Sequence, residues 1–432
     1  MTIRDALKRD PDDRWAAAFG RMAGYSFAVA VVTGILLVPF FRPSMATVVY
    51  HGSYSKLDGG LMSQAFRSVL ALTFDVRGGL LARQVHHWSA DVFVAAVCLR
   101  LLRVFFRGRF SRRALPGWLI WVTLLPLGML AAYTGTILPD DGLSGGSLSV
   151  ITGVLLSVPV LGTHLVFWIF GGAPPGHQII GRDYWVHILV LPALAAALLL
   201  LSCWPSLRRP RRPRWRRVRP DPLLLLTCGV LVLLGTVAQI NPVWLIGPYQ
   251  PGSISAGSVP DWYMAVLDGP LRIMPAWELP VAGHPLALGV LIPGLVLPGL
   301  FFAVLAAYPL ADRWITRRRP ARALLPPGPG DPANRTATGV AGITLYGLLW
   351  AASANDQIAY HLQMSLYTVT WMFRVAVLAG PVVAFVITRI ICHARADGRR
   401  DEELHGQETG RVVMNQQGGY SEIRVPARRG RS

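Results

Sequence analysis

Cysteine is scarce and unpaired in this 432-residue chain: Cys98, Cys203, Cys228 and Cys392 fall singly in or near apolar stretches, with no CxxC spacing. That excludes a disulfide framework and gives neither an iron–sulfur cluster nor a structural zinc site its ligands. Charge is sparse as well, at 15% of residues, and acids are the rarer sign, 23 against 42 basic side chains. A chain that is 53% hydrophobic with mean hydropathy +0.42 is not an ordinary soluble domain. The opening MTIRDALKRDPDDRW has no short apolar core with a small-residue cleavage site, so the first apolar span is expected to direct insertion itself. No internal repeat stands out.

What the chain does have is a series of long apolar runs, at about 17–41, 86–106, 117–138, 184–204, 223–243, 284–307, 338–354 and 370–392. Each is long enough for a hydrocarbon core of about 30 Å, so the expected fold is an all-α integral membrane protein with about eight transmembrane helices. A ninth apolar stretch, 147–171, is broken by Pro159 and several glycines and reads as a helical hairpin at the membrane interface.

The formal charge of +19 raises nucleic acid as a partner, above all through the run RRPRRPRWRRVR at 208–219. Membrane topology accounts for it better. With a cytoplasmic N-terminus, the connections after the second, fourth and sixth spans and the C-terminal tail face the cytoplasm, and those segments hold the arginine clusters. A multi-pass protein with both termini cytoplasmic, in contact with lipid and not with nucleic acid, is the expectation. The chain divides accordingly into an N-terminal bundle at 1–204, an Arg/Pro-rich linker at 205–222, a second apolar half at 223–395 and a charged tail at 396–432.

Two histidines, His86 and His187, begin two of the spans, and the positions fourteen residues on are Arg100 and Leu201. Fourteen residues make nearly four helical turns, so each pair shares one face at two levels separated by about 21 Å. Histidines at both levels of such a helix pair can hold two stacked haems; this pair can hold one. Arg83 and Arg182 precede the histidines by three and five residues, which suits a haem whose iron is buried and whose propionates reach the interface. Gly34 and Gly135 leave room for the edge of a flat macrocycle.

These residues, with FDVRGGLLARQVHHWSA at 74–90, GTILPDDGLSGG at 135–146, GRDYWVHILVLP at 181–192, INPVWLIGPYQP at 240–251, PDWY at 260–263, MPAWE at 274–278 and LHGQETGR at 404–411, resemble the cytochrome b family of actinobacterial menaquinol-oxidising bc complexes. The resemblance runs from about residue 14 to 425. It implies a haem-binding four-helix bundle followed by C-terminal helices in a bacterial cell membrane. His86 and His187 fall on the axial ligands of the outer, low-potential haem b. The inner haem's ligand positions fall on Arg100 and Leu201, and its glycine on the third helix falls on Trp121, while Gly20 still fits. Neither leucine nor a guanidinium has a lone pair for iron, and an indole fills space a porphyrin needs. One haem b is therefore expected, with Trp121 and the Arg100 stem repacking the inner level and the Arg100 charge snorkelling outward.

PDWY matches the family's outer quinol-oxidation motif, which implies Asp261 as acceptor of a quinol proton and Tyr263 as hydrogen-bond donor to the quinol ring. The Arg/Pro run between the fourth span and the fifth at Leu223 holds no histidine to serve an inner quinone-reducing site. The resemblance further implies a Rieske-type iron–sulfur protein and a cytochrome c-type subunit as partners in a dimeric complex. Without the inner haem, no complete proton-motive Q cycle by this chain alone is expected. The alternative reading is a non-catalytic paralogue acting as a membrane scaffold or assembly subunit.

Overall fold

The computed structural model describes residues 11–108, 115–172, 176–207, 221–250, 252, 261–281, 283–317, 330–414 and 417–425. Helix α1 (Pro11–Leu37) leads through a small hairpin of β1 (Thr47–Val49) and β2 (Leu61–Ser63) into the short α2 (Gln64–Phe74), capped by the Ser63 hydroxyl on the Phe66 N–H. Helix α3 (Gly79–Arg107) is bounded by left-handed Gly78 and Gly108, and α4 (Leu115–Ile137) returns across the bundle. Next come α5 (Gly142–Leu156) and α6 (Gly162–Phe170), the hairpin expected at 147–171, turning at Val160 with φ 66°.

Helix α7 (Ile179–Trp185), a π-helical turn (Val186–Val190) and α8 (Leu191–Leu207) form one continuous span. The π turn has a local cause. Pro192 lacks the N–H that would reach Ile188, and the Leu191 N–H bonds one residue further back, to Val186. Helix α9 (Pro222–Val237), capped by Asp221, and the short α10 (Ala265–Ile273) follow. The strands β3 (Glu278–Val281) and β4 (His284–Ala287) then pair ahead of α11 (Leu297–Arg317). Helices α12 (Gly330–Ala352), α13 (Asn355–His361) and α14 (Leu366–His405), with the hairpin β5 (Gln407–Met414) and β6 (Tyr420–Val425), complete the chain.

Every expected span is matched by a helix, but among the described residues only five pass on both length and apolarity. They become six if the segments on either side of a 65° bend between Ala352 and Asn355 form one span. Two helices account for the difference. Helix α9 has 16 residues, about 24 Å, which is short of the core thickness. Helix α3 is long enough at 29 residues but carries Arg83, His86, His87, Asp91, Arg100 and Arg103, so its apolarity is diluted by the residues that give it its chemistry.

The described residues gather into two units, 1–316 with 349–374 and 317–348 with 375–432. In the first, α1 lies along α3, α3 against α4, α4 against α8, and α9 against both α1 and α3. The core of this bundle includes Ala23, Phe93, Val97, Trp118, Trp121 and Leu124. In the second, β5 and β6 form an antiparallel hairpin with a register shift between Glu408 and Val412. The linker read at 205–222 falls inside the first unit, and its residues 208–220 lie outside the described residues.

The first turns of α3 tie down the 238–241 loop. Trp88 Nε1 donates to the Ala238 carbonyl at 2.7 Å, and Arg83 Nη2 donates to that of Asn241 at 3.0 Å. The buried Gln84 amide pairs with both backbone groups of Ile240, at 2.9 and 2.8 Å. Gln84→Leu leaves both backbone groups of the half-buried Ile240 without their partner, and up to about 1–3 kcal/mol of stability should go with each. The expected outcome is a lower melting temperature of the detergent-solubilised protein, and an unchanged one contradicts this anchoring role.

Candidate functional site

His86 on α3 and His187 in the π turn face each other, their ring centres 6.0 Å apart and their planes at 75°. Each ring is held in the same way. His86 Nδ1 lies 2.9 Å from the Ala30 carbonyl and 3.1 Å from Thr33 Oγ1; His187 Nδ1 lies 3.1 Å from the Ala131 carbonyl and 3.0 Å from Thr134 Oγ1. A carbonyl oxygen only accepts, so both Nδ1 atoms carry the proton and each Nε2 keeps its lone pair. Gly34 and Gly135 make the room. A Cβ on Gly34 would stand 3.1 Å from His86 Cε1, and one on Gly135 would stand 2.8 Å from His187 Cε1. Ala30, Thr33, Gly34 and His86 thus have identical counterparts 101 positions on, in Ala131, Thr134, Gly135 and His187. The expectation of no internal repeat is corrected here: α1 with α3 and α4 with the His187 helix form two like pairs.

One level further in, the same offset relates Gly20 to Trp121 and Arg100 to Leu201. Arg100 does not snorkel outward. Its guanidinium stands 4.3 Å over the Trp121 ring and Nη1 donates to the Ala16 carbonyl, while a Cβ on Gly20 would meet Nη1 at 2.5 Å. The ring face and the carbonyl attract the cation inward, a stacking worth about 0.5–2 kcal/mol. Trp121 is buried in the core, whereas Leu201 is 54% exposed and points away from it. Trp121 and Arg100 pack against each other at this level, and Gly20 makes room for the arginine.

A second constellation lies beside the first. Tyr263 is 1% exposed and donates to Asp261 Oδ2 at 2.7 Å. Asp261 lines a small pocket with Tyr133, Thr136, Leu143, Ser147, Ile151, Met264 and Asp268, and Tyr133 donates to the Ser147 carbonyl at 3.1 Å. Burial pushes the Asp261 carboxyl above the usual carboxylate range, and the bond from Tyr263 works against that shift. Two residues that the sequence reading did not single out complete the group. His87 Nε2 lies 3.9 Å from Asp261 Oδ1 and 3.8 Å from Asp91 Oδ2, and Trp262 Nε1 donates to Asp91 Oδ1 at 3.1 Å. Spacing alone signalled only that Asp91 lies one turn after His87; its meeting with residue 262 joins segments 171 positions apart.

A family model described as cytochrome b (N-terminal)/b6/petB matches residues 91–248. The chain is 40% identical over 432 aligned residues to the cytochrome bc1 complex cytochrome b subunit of Streptomyces coelicolor, covering 96% of this chain and 79% of that protein. It is 38% identical to the subunit of the same name from Mycobacterium tuberculosis, covering 98% and 80%. The chain belongs to the cytochrome b subunits of the bc1 complex. A hyperthermophilic respiratory complex III chain shares the fold, with TM-score 0.59 at 18% identity, covering 88% of this chain and 92% of that one.

The outer level has the shape a cytochrome b haem requires. Two imidazoles ligating one metal from opposite sides, at about 2 Å per bond, stand roughly 6 Å apart between ring centres. Arg83 Nη1 is buried with no hydrogen-bond partner, so one N–H group of this cation remains for an anionic propionate. Arg182 is placed differently, bonding the Trp168 and Ile169 carbonyls at the end of α6 and Gln178 Oε1 at 2.6 Å. Tyr263, expected to donate to the quinol ring, spends its hydroxyl on Asp261. Pro260 lies outside the described residues. Gly135→Val is expected to displace the His187 ring and lower haem content per chain, measured by pyridine haemochrome absorbance. Gly20→Ala, which meets the movable tip of Arg100, should leave that content unchanged.

Proposed function

We propose that this cytochrome b subunit oxidises menaquinol at an outer site and passes one electron to a single haem b between His86 and His187. The observation that carries the reading is adjacency on α4: Thr134 and Gly135 hold the His187 ring, while Tyr133 and Thr136 line the pocket of Asp261. Haem b, bound there, supplies a one-electron acceptor. In the reading the chain's own residues do the rest. Asp261 accepts a quinol hydroxyl proton, Tyr263 orients that carboxyl, and the apolar wall from Leu143 to Met264 excludes water.

The pocket encloses about 50 Å³ in this conformation, far below the roughly 300 Å³ at the low end of small-molecule sites. Quinol entry thus requires α5 and the 261–268 segment to part. Arg100 and Leu201 offer no iron ligand at the inner level, which supports one haem and an incomplete cross-membrane Q cycle for this chain alone. Partners of the Rieske and cytochrome c types in a dimeric complex, the division at 205–222 and cytoplasmic termini belong to the same reading. The arginine clusters support the orientation.

Purified complex should yield one haem b per copy of this chain by pyridine haemochrome, and His187→Ala should abolish it; two haems per chain would overturn the assignment. Asp261→Asn should lower menaquinol oxidation by about a hundredfold, the low end for a lost general base. Wild-type turnover in that variant favours the scaffold reading. Because burial raises the Asp261 pKa and only its carboxylate accepts a proton, wild-type turnover should rise with pH through a midpoint above the ordinary carboxylate range. A flat profile across that range counts against Asp261 as the acceptor.

A further inference from the structure

Asp91 neither holds the haem ligands nor lines the quinol pocket, yet it is 7% exposed in the bundle and lies near Asp261, which does line that pocket. Its two oxygens are differently engaged. Oδ1 accepts from the Trp262 indole, which fixes the carboxyl against the 261–264 turn, while Oδ2 faces His87. Asp261 Oδ1 lies 3.9 Å from the same imidazole nitrogen. Among the described residues, His87 is the only basic group within ion-pairing distance of either acid.

We propose that Asp91 is the next proton holder behind Asp261 in quinol oxidation, taking the proton that Asp261 has accepted and resetting Asp261 for the next turnover. The inference rests on the quinol reading given above. In the step, the O–H bond of the Asp261 carboxylic acid breaks and an O–H bond forms on the Asp91 carboxylate. No electron moves, since the quinol's two electrons leave separately to the haem b and to an iron–sulfur partner. The two carboxyls share one neighbour, His87 Nε2, at 3.8 and 3.9 Å, and in the proposal a rotation of the Asp261 carboxyl or a bridging water carries the proton between them while His87 keeps its charge. The titratable groups around Asp91 are His87 on its own helix and Asp261 and Tyr263 on the facing turn, with Tyr133 of α4 beyond Tyr263.

The test uses the intact complex with a short-tailed menaquinol analogue, comparing wild type, Asp91→Asn, Asp91→Glu and Asp261→Asn at equal haem content. Asparagine keeps an oxygen for the Trp262 indole but cannot carry the proton. Asp91→Asn is expected to lower kcat by about tenfold with KM within twofold, and to shift the pH profile of kcat, while Asp91→Glu restores most of both. Wild-type kcat and pH profile in Asp91→Asn would overturn the proposal while leaving the quinol reading intact, provided Asp261→Asn is inactive. Full turnover in Asp261→Asn would overturn both. A raised KM or lost haem in Asp91→Asn that glutamate does not repair would reduce Asp91 to a structural support for Trp262 and overturn the proposal as well.

Discussion

The arrangement depends on two N–H to carbonyl bonds inside the bundle. Each imidazole gives its Nδ1 proton to a carbonyl of the neighbouring helix, Ala30 or Ala131, and this one contact does three things. It sets the tautomer, it leaves Nε2 with a free lone pair, and it satisfies a buried polar group. It also requires close approach between helices, which explains a glycine within one turn of each carbonyl and a threonine beside it. Replace either glycine by a larger residue and the ring, not the backbone, has to give way.

The two levels of the bundle show how one scaffold supports different contents. Outside, small residues on α1 and α4 face imidazoles. Inside, the corresponding positions pair Gly20 with Arg100 and set Trp121 beneath the guanidinium. A bundle level without small side chains facing a cofactor must be filled by its own side chains or lose packing energy in proportion to the void, at about 24 cal/mol per Å³. An indole and an arginine stem fill it with atoms, and the guanidinium finds a ring face and the Ala16 carbonyl as partners. The arginine is thereby held inside the bundle, against the expectation that a long cationic side chain near a helix end reaches for water.

Helix α3 links the bundle to the segments outside the membrane. Its first turns hold the 238–241 loop through Arg83, Gln84 and Trp88, its next residues His86 and His87 face two different sites, and Asp91 receives the Trp262 indole. The polar residues that lower its apolarity are therefore the ones that join distant parts of the chain.

The helical positions, the hairpin at 147–171 and the paired histidines and glycines were readable from residue type and spacing, because helical periodicity translates sequence separation into a shared face. The 101-residue repeat was hidden: four identities scattered in a Leu, Val and Ala background carry little weight until hydrogen bonds align them. The bonding partners of Arg182, Tyr263, His87 and Asp91 were likewise beyond reach. Each is decided by a partner many positions away or by which of two nearby acceptors a donor meets, and one-dimensional spacing holds no information about either. The sequence by itself determined which chemistry each helix face can offer; only the tertiary structure decided which faces meet, since that choice is made by packing between segments with no fixed separation along the chain.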